Sequence, residues 1–232
     1  MKITNLTKKI GDLEIQIPEL EFQKGKIHGL LGGNGCGKST LSKMLIGAEP
    51  IESGVIDLEG TLPSQVTLMS QRPYLLQRSV YENLIYPLQI RNLPVDEQLV
   101  EAWLRKIDLW KKKDQYARSL SSGEQQKLSF LRALIFHPEI IIIDETLSNL
   151  DPESLQIFEQ WILEWQKIEQ VTWIIISHQL IQINNLCDDV HFMKKGKVLE
   201  SGTKEEVIFH SENEEVKQFI QCQIIRNTQN PM

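Results

Sequence analysis

A glycine-rich stretch between two apolar segments constrains the fold of this chain more than any other feature. The stretch consists of Gly32, Gly33, Asn34, Gly35, Cys36, Gly37, Lys38, Ser39 and Thr40. It follows an apolar, strand-like run at 27–31 and precedes a helical pattern with Leu41, Met44 and Leu45 on one face. Its spacing is that of the motif G-x-x-x-x-G-K-S/T, in the strand–loop–helix setting that the motif requires. The sequence therefore predicts a loop that binds a polyphosphate.

Two side chains of this loop have distinct predicted roles. Lys38 is expected to reach the β- and γ-phosphates as a point charge, and the Ser39 hydroxyl to coordinate Mg²⁺. The glycines let the backbone curl so that successive N–H groups point inward. The alternative is a glycine-rich turn with an incidental lysine, which the flanking strand and helix patterns disfavour.

Composition narrows the class of protein. The formal net charge is −6 and the sequence pI is about 5.5. These values argue against nucleic acid as the main partner, because binding a phosphate backbone usually requires a basic face. The one basic run, Lys111–Lys113, is interpreted as a solvated helix end. The hydrophobic fraction of 41% is ordinary for a soluble globular protein, so disordered and fibrous classes are unsupported.

Cysteine spacing and apolar segments indicate the compartment. Cys36, Cys187 and Cys222 are odd in number and widely spaced, so we expect neither a disulfide framework nor a zinc site. A reducing cytosol fits this pattern. Residues 1–9 lack the apolar core of a signal sequence, and no stretch approaches the roughly 18 apolar residues that span a membrane. Any connection to a membrane is therefore expected to come through another chain.

Paired carboxylates follow a fully apolar run of isoleucines at 140–143, a pattern typical of a central parallel strand. Asp144 is expected to hold Mg²⁺ directly or through water, and Glu145 to polarise a water beside the γ-phosphate. A solvated strand end is the alternative, which the phosphate loop's need for such a partner disfavours. A second buried strand at 171–177 ends at His178. A lone histidine is more often structural, but the end of a parallel strand favours a γ-phosphate contact.

A further strand-like run, 66–71, ends in a polar amide. Open α/β sheets bind ligands at the carboxyl ends of their strands. The Gln71 amide is therefore expected to point towards the metal.

A serine-rich segment, Leu120–Glu124, opens a helix that is apolar on one face. Ser121 or Ser122 with Glu124 or Gln125 resembles a capping box, and capping alone accounts for these residue types. A helix N-terminus with small residues is also a second site for an anion. Both interpretations stay open from the residues alone.

The remaining sequence patterns predict further strands and the division of the chain into a core, a subdomain and a tail. Strands are predicted at 2–10, 13–20 and 54–58, and residues 190–200 read as a closing hairpin. Pro18 places its strand at a sheet edge or strand end, because proline cannot donate to a ladder. We expect a single domain whose nucleotide-binding core is formed by 1–71 and 120–202, with a helical subdomain at 72–119 and a helical tail at 203–232.

Two parts of the helical segment have their own patterns. An amphipathic helix is predicted through Val100, Trp103, Leu104, Ile107 and Trp110. Residues 74–94 are less regular and rich in aromatic and apolar side chains. Subdomain core is one interpretation of these side chains, and a groove for a partner's helix is the other.

Taken in order, these motifs resemble those of the ATP-binding subunit of an ABC transporter, over nearly the whole chain. The matching segments are 32–40 (Walker A), Gln71 (Q-loop), Leu120–Glu124 (signature), the strand into Asp144 and Glu145 (Walker B), Ser148–Asp151 (D-loop) and His178 (switch histidine). A phosphate loop alone is shared by many nucleotide hydrolases, but the ordered set is specific. The resemblance implies an α/β fold: a P-loop NTPase core with a mostly parallel sheet, an N-terminal antiparallel β-subdomain and an inserted α-helical subdomain.

The resemblance further implies a head-to-tail homodimer that holds ATP and Mg²⁺ between the phosphate loop of one copy and the signature of the other. The implied nucleotide contacts outside the phosphate loop are Gln71, Ser121, Ser122, Gly123 and Asp151. Catalysis is assigned to Glu145 as base, with His178 at the γ-phosphate and Lys38 on the phosphates. Hydrolysis then lets the two copies part.

The partners implied by the resemblance are integral membrane permease subunits and, indirectly, an extracytoplasmic solute-binding protein. The chain would lie peripherally at the cytoplasmic face of the membrane, as part of a bacterial importer. Residues 71–84 look most similar to oxyanion systems of the tungstate type, with amino acids or phosphate as alternative substrates. A different class of function is a non-transport ATP-dependent switch that regulates a soluble partner.

Several residues depart from the family pattern. Ser122 stands where glycine is usual, Glu124 replaces the usual glutamine, and Thr146-Leu147 replaces proline-threonine. The aromatic side chain that stacks on adenine is replaced by Ile10 or is absent, which would weaken selection of the base. Cys36 lies at a helix N-terminus, where we expect a thiolate, so that alkylation would inhibit nucleotide binding.

Overall fold

The computed structural model describes residues 1–71, 73–146 and 152–229. The strands in the described residues are β1 (Lys2–Ile10), β2 (Leu13–Glu21), β3 (Ile27–Leu31), β4 (Ser53–Asp57), β5 (Val66–Met69), β6 (Ile140–Asp144), β7 (Thr172–Ser177), β8 (Asp189–Lys194) and β9 (Lys197–Thr203). The α-helices are α1 (Lys38–Leu45), α2 (Val80–Gln89), α3 (Glu97–Lys106), α4 (Ser122–Leu134), α5 (Pro152–Glu169), α6 (Leu180–Leu186) and α7 (Glu214–Gln229). None of these helices is long and apolar enough to cross a bilayer.

A six-stranded sheet forms the centre of the fold, in the order β5-β6-β7-β3-β8-β9. Neighbouring strands are parallel except β8 and β9, which form the hairpin predicted at 190–200. The parallel strands β6, β7 and β3 are adjacent, so their carboxyl ends meet at one edge of the sheet. The phosphate loop and the residues that follow β6 and β7 are thereby brought together.

The central strands are apolar because both faces of this sheet are buried. Along β6, Ile141 and Ile143 pack among the helices, whereas Ile140 and Ile142 pack towards a smaller sheet. The neighbouring strand β7 alternates in the same way. The sequences of β6 and β7 do not alternate between polar and apolar residues because this sheet is covered on both faces.

The smaller sheet is antiparallel, in the order β2-β1-β4. Ile15 and Ile17 of β2 are buried, and Pro18 is exposed in this edge strand. The edge position predicted from Pro18 is therefore confirmed. Together with α1, this sheet covers the face of the central sheet opposite the other helices.

The turn of the β8–β9 hairpin connects the smaller sheet to the phosphate loop. The Gly196 N–H donates to the Cys36 carbonyl, and the Gly196 carbonyl accepts from the Gln16 N–H, both over 2.9 Å. Gly196 has a φ of +77°, and a Cβ atom there would lie 1.9 Å from the Glu14 carbonyl oxygen. Only glycine fits this turn, which fixes the loop against β2.

The segment 74–94, whose sequence pattern is less regular, contains the regular helix α2 within the region predicted to be helical. Helix α2 begins at a complete capping box, in which the Ser79 side chain accepts from the Glu82 N–H and the Glu82 carboxylate accepts from the Ser79 N–H. Leu75 and Leu84 are buried, whereas Tyr74 is 69% exposed. Most of the segment's apolar side chains thus form core, and Tyr74 is the exposed aromatic.

The amphipathic helix predicted through Trp110 ends earlier. Asp108 has a left-handed backbone with a φ of +60°, and its N–H donates to the Arg105 carbonyl. The Leu109 N–H then donates to the Leu104 carbonyl. This pair of hydrogen bonds is a Schellman motif, which ends α3 and leaves Trp110 at the start of a separate 3₁₀ turn.

Candidate functional site

The phosphate loop holds its lysine in a buried position at the start of α1. The Lys38 side chain is 4% exposed, and its Nζ donates to the carbonyls of Gly32 and Gly33 over 2.8 and 3.0 Å. Gly37 is the N-cap of α1, with a φ of 108°. Glycine has no side chain to cap the helix, so the first-turn N–H groups face the site, where the helix dipole favours an anion.

A carboxylate and two serines form a hydrogen-bonded group beside the loop. The Ser39 hydroxyl donates to one oxygen of Asp144 over 3.0 Å, and the Ser42 hydroxyl donates to the other over 3.1 Å. Burial raises the pKa of the Asp144 carboxyl, and the two serine hydrogen bonds oppose this rise. The group joins the end of β6 to the first two turns of α1.

Glu145 lies between the lysine and the histidine. One oxygen of its carboxylate is 3.7 Å from Lys38 Nζ and 3.3 Å from His178 Nδ1. Glu145 has a left-handed backbone with a φ of +52°, and its N–H donates to the Ile176 carbonyl over 3.0 Å. A non-glycine residue in this conformation is strained, and the hydrogen bond to β7 helps to hold it. With this left-handed backbone, the carboxylate lies against Lys38 of the loop.

A cavity of about 210 Å³ opens above these groups. Its lining residues are Leu13, Asn34, Gly35, Gly37, Lys38, Ser39, Thr40 and Glu145. The predicted lysine, serine and base thus face one space. Within the described residues no cluster of three or more histidine, cysteine or acidic side chains could hold a metal by itself.

Other predicted site residues lie apart from this cavity. Gln71 is exposed two positions beyond β5, outside the hydrogen-bonded group around Asp144. Ser121 and Ser122 are exposed at the start of α4, and Gly123 is half-buried. The lining of the cavity includes none of these four residues. Asp151, with 147–150, lies outside the described residues.

The start of α4 is a capping box formed by Ser121 and Glu124. The Ser121 hydroxyl accepts from the Glu124 N–H, and one Glu124 oxygen lies 3.0 Å from both the N–H and the hydroxyl of Ser121. The other oxygen accepts from Lys112 Nζ over 2.6 Å, and the Lys112 side chain is 40% exposed. The solvated interpretation of the basic run stays a prediction, with Lys112 paired at the surface. Hydrogen bonding to Lys112 is the main cause that lowers the pKa of Glu124.

The prediction of a thiolate at Cys36 is wrong. The side chain is buried, and burial raises the pKa of its thiol despite the nearby charge of Lys38. Desolvation therefore outweighs the helix N-terminus at this position. Cys222, on α7, is the exposed thiol.

Three residues at the site have contacts that the motifs did not predict. Ser42 follows Ser39 by one helical turn, and this i, i+3 spacing is a signal that could have identified it. Thr146 donates its hydroxyl to the carbonyls of Met69 and Ser70 over 3.1 Å, joining the end of β6 to the segment before the predicted Q-loop. Leu13, rather than Ile10, lines the cavity beside the loop.

Helix α4, which begins at the predicted signature segment, is connected to the end of β6 through Thr146. The Gln126 amide of α4 donates to the Thr146 carbonyl over 2.8 Å, and both side chains are buried. This hydrogen bond links the beginning of α4 to the residue next to Glu145.

A phosphate loop with a carboxylate pair and a histidine at the ends of adjacent parallel strands defines a P-loop nucleotide hydrolase. Residues 15–148 match the ABC transporter family. The chain belongs to this family, and it is an ATPase that binds and hydrolyses ATP.

Relatives and a solved structure agree with this assignment. The chain is 33% identical over 206 residues to the tungstate uptake system ATP-binding protein of Peptoclostridium acidaminophilum, covering 86% of this chain and 96% of that protein. It is 31% identical over 229 residues to a methionine import ATP-binding protein of Bacillus cereus, of which it spans 66%. That alignment covers 92% of this chain.

The fold is similar to that of cbiO1 from Clostridium perfringens, part of the ABC transporter complex cbiONQ. The TM-score is 0.75 at 25% sequence identity, covering 99% of this chain and 95% of that chain. The predicted α/β fold class, with its mostly parallel sheet and antiparallel β-subdomain, is confirmed.

Proposed function

We propose that this ATPase powers solute import by a bacterial ABC transporter, hydrolysing MgATP at sites shared by two copies of the chain. The observation that carries the catalytic part is the position of one Glu145 oxygen between Lys38 and His178. A carboxylate held beside a cation and a histidine, at the rim of a phosphate loop, is placed to act on a water near the γ-phosphate.

The donor set beside the loop fits Mg²⁺. A serine hydroxyl and a carboxylate are hard oxygen ligands, and Ser39 Oγ lies 3.0 Å from Asp144 Oδ1. We propose that Ser39 and Asp144 hold the ion, with the Gln71 amide and phosphate oxygens completing its shell. When bound, Mg²⁺ neutralises charge on the β- and γ-phosphates.

The chain's own groups have separate roles in this proposal. The loop N–H groups from Gly33 to Thr40 bind the phosphates, and Lys38 stabilises negative charge that shifts onto the β/γ bridge. Glu145 accepts a proton from the attacking water, and His178 donates a hydrogen bond to the γ-phosphate. The strained backbone of Glu145 keeps its carboxylate directed at this position.

The second half of each site comes from the partner copy. Ser121, Ser122 and Gly123 are available at the surface of α4, apart from the cavity of their own chain. In the proposed homodimer they contact the γ-phosphate bound to the partner's loop, and Asp151 lies at the same interface. Two-fold symmetry makes the two sites equivalent. The capping box orients Ser121, and Lys112 offsets the negative charge of Glu124.

A membrane permease is proposed to dock beside the Q-loop. A small groove between α2 and α4 is lined by Met69, Ile90, Arg91 and Phe136, and Ile90 is 56% exposed. This groove suits a short helix from the permease, which would hold the chain peripherally at the cytoplasmic face. The solute-binding protein then acts through the permease, without contacting this chain.

Tungstate-type oxyanions are the proposed cargo. The match to the tungstate uptake protein extends over 96% of that protein, whereas the methionine importer has a third of its length outside the match. The residues that contact the cargo lie on other chains of the transporter. This part of the proposal therefore rests on the similarity of the whole chain to the tungstate uptake ATP-binding protein.

The cargo is tested in the intact transporter, isolated with its permease and solute-binding protein. We expect tungstate, presented on the solute-binding protein, to raise ATP turnover severalfold in proteoliposomes, and methionine or phosphate to leave it unchanged. Stimulation by methionine or phosphate instead of tungstate would overturn the proposal that tungstate is the cargo. Co-purification with a soluble partner and no permease would favour the regulatory switch.

A further inference from the structure

A second and larger cavity lies beside the phosphate-loop cavity. Its volume is about 460 Å³, within the roughly 300–1,000 Å³ typical of small-molecule sites. The two cavities share Leu13, Asn34 and Gly35 in their linings. They therefore form one groove, with charged groups at one end and a mainly apolar chamber at the other.

The chamber has an aromatic wall on α7. The Phe219 ring contacts the buried Phe192 ring edge-on, with centroids 5.1 Å apart, and Phe219 is itself half-buried. Leu13 lines the same chamber from β2. Gln218 and Gln223 add amides to the α7 side. Lys194, Lys195 and Glu215 also line the chamber. Apolar surface with a few polar groups is the chemistry that holds a nucleobase and its ribose.

The wall is anchored to the core. Val216 and Ile220 of α7 are buried, and Lys194 of the β8–β9 hairpin forms an ion pair with Glu215. The turn of the same hairpin is hydrogen-bonded to the Cys36 carbonyl of the phosphate loop. The β8–β9 hairpin therefore contacts both the aromatic wall and the loop. The chamber is thus preformed beside the loop.

We infer that this chamber holds the base and ribose of the bound nucleotide, with Phe219 and Leu13 against the base. The inference rests on the proposed nucleotide site, because the phosphates on the loop direct the rest of the molecule along the shared part of the groove. It assigns the tail helix to substrate recognition. It also supplies an aromatic contact that residues 10–13 of this chain do not provide.

The first test compares ligands with and without a base. MgADP and magnesium pyrophosphate both lack the γ-phosphate that is proposed to join two copies, so dimer formation does not intervene. We expect Phe219→Ala to weaken MgADP binding about tenfold, since an aromatic contact and its buried area are lost. Pyrophosphate binding should stay unchanged. Ile224→Ala, an exposed position on the same helix outside the chamber, is the control and should change neither.

A second measurement uses the unaltered protein. Cys222 is exposed and lines the chamber, whereas Cys36 and Cys187 are buried. Saturating MgADP should slow alkylation of Cys222 by N-ethylmaleimide at least severalfold, measured by peptide mass spectrometry, and pyrophosphate should not. Equal alkylation rates with the two ligands would overturn the inference. If Lys38→Ala left MgADP binding intact, the proposed binding of phosphates by the loop would be wrong. That result is distinguishable from failure of the chamber inference, which the Phe219 and Cys222 experiments report.

Discussion

Glu145→Gln should reduce steady-state ATP hydrolysis by about 10²- to 10⁴-fold, because an amide cannot accept the proton of the attacking water. The affinity for MgATP should change by less than about threefold, since glutamine is similar in size and the phosphates are bound by other groups. Phosphate release under saturating ATP measures the first quantity, and isothermal titration calorimetry the second. Such a split between turnover and binding identifies a residue that acts in the chemical step.

Glu139→Gln is the matched control for this substitution. Glu139 immediately precedes β6, at the opposite end of the strand from Glu145, and its carboxylate binds Lys24 and Thr61. The same chemical change there should leave turnover within about twofold of the parent, because surface ion pairs contribute little. Parent-like hydrolysis by Glu145→Gln would show that another group is the base.

Lys38→Ala should weaken MgATP binding about 30-fold or more, corresponding to the roughly 2 kcal/mol or more lost when one partner of a buried charge pair is truncated. Lys38 is the buried cation of the loop, and its Nζ lies within hydrogen-bonding distance of two loop carbonyls. The dissociation constant from calorimetry measures the loss. Circular dichroism checks that the fold is retained.

Lys43→Ala provides the comparison, because Lys43 lies on the same helix but is exposed near its C-terminal end. Its removal should leave the MgATP affinity within about twofold. Equal affinities for the Lys38 and Lys43 variants would mean that the loop does not bind the phosphates through Lys38.

The sequence could predict those elements whose local residue pattern directly reflects their burial or function in the folded protein. β6 and β7 are buried on both faces, so they lack polar alternation and were recognisable as central strands. The phosphate loop was recognisable because its glycines, Lys38 and Ser39 act within one short segment. Strand ends at one edge of a parallel sheet then predicted that Glu145 and His178 would approach the loop.

Contacts between distant segments could not be predicted in this way. The raised pKa of Cys36 depends on how deeply the loop is buried, which helix position alone does not report. The early end of α3 depends on the left-handed Asp108, a residue that does not require this conformation. The chamber beside the loop needs α7 to fold back onto the β8–β9 hairpin. The spacing of Val216, Phe219 and Ile220 indicates a buried face of this helix, but it does not say which element covers that face.

In the proposed homodimer ATP is held between two copies of this chain, and sedimentation velocity of the Glu145→Gln protein can detect this pairing. We expect a dimer with saturating MgATP and a monomer with MgADP, because the γ-phosphate is the group that both copies are proposed to contact. A protein that stays monomeric in MgATP, and also fails to pair when reconstituted with its permease, would rule out the proposed homodimer.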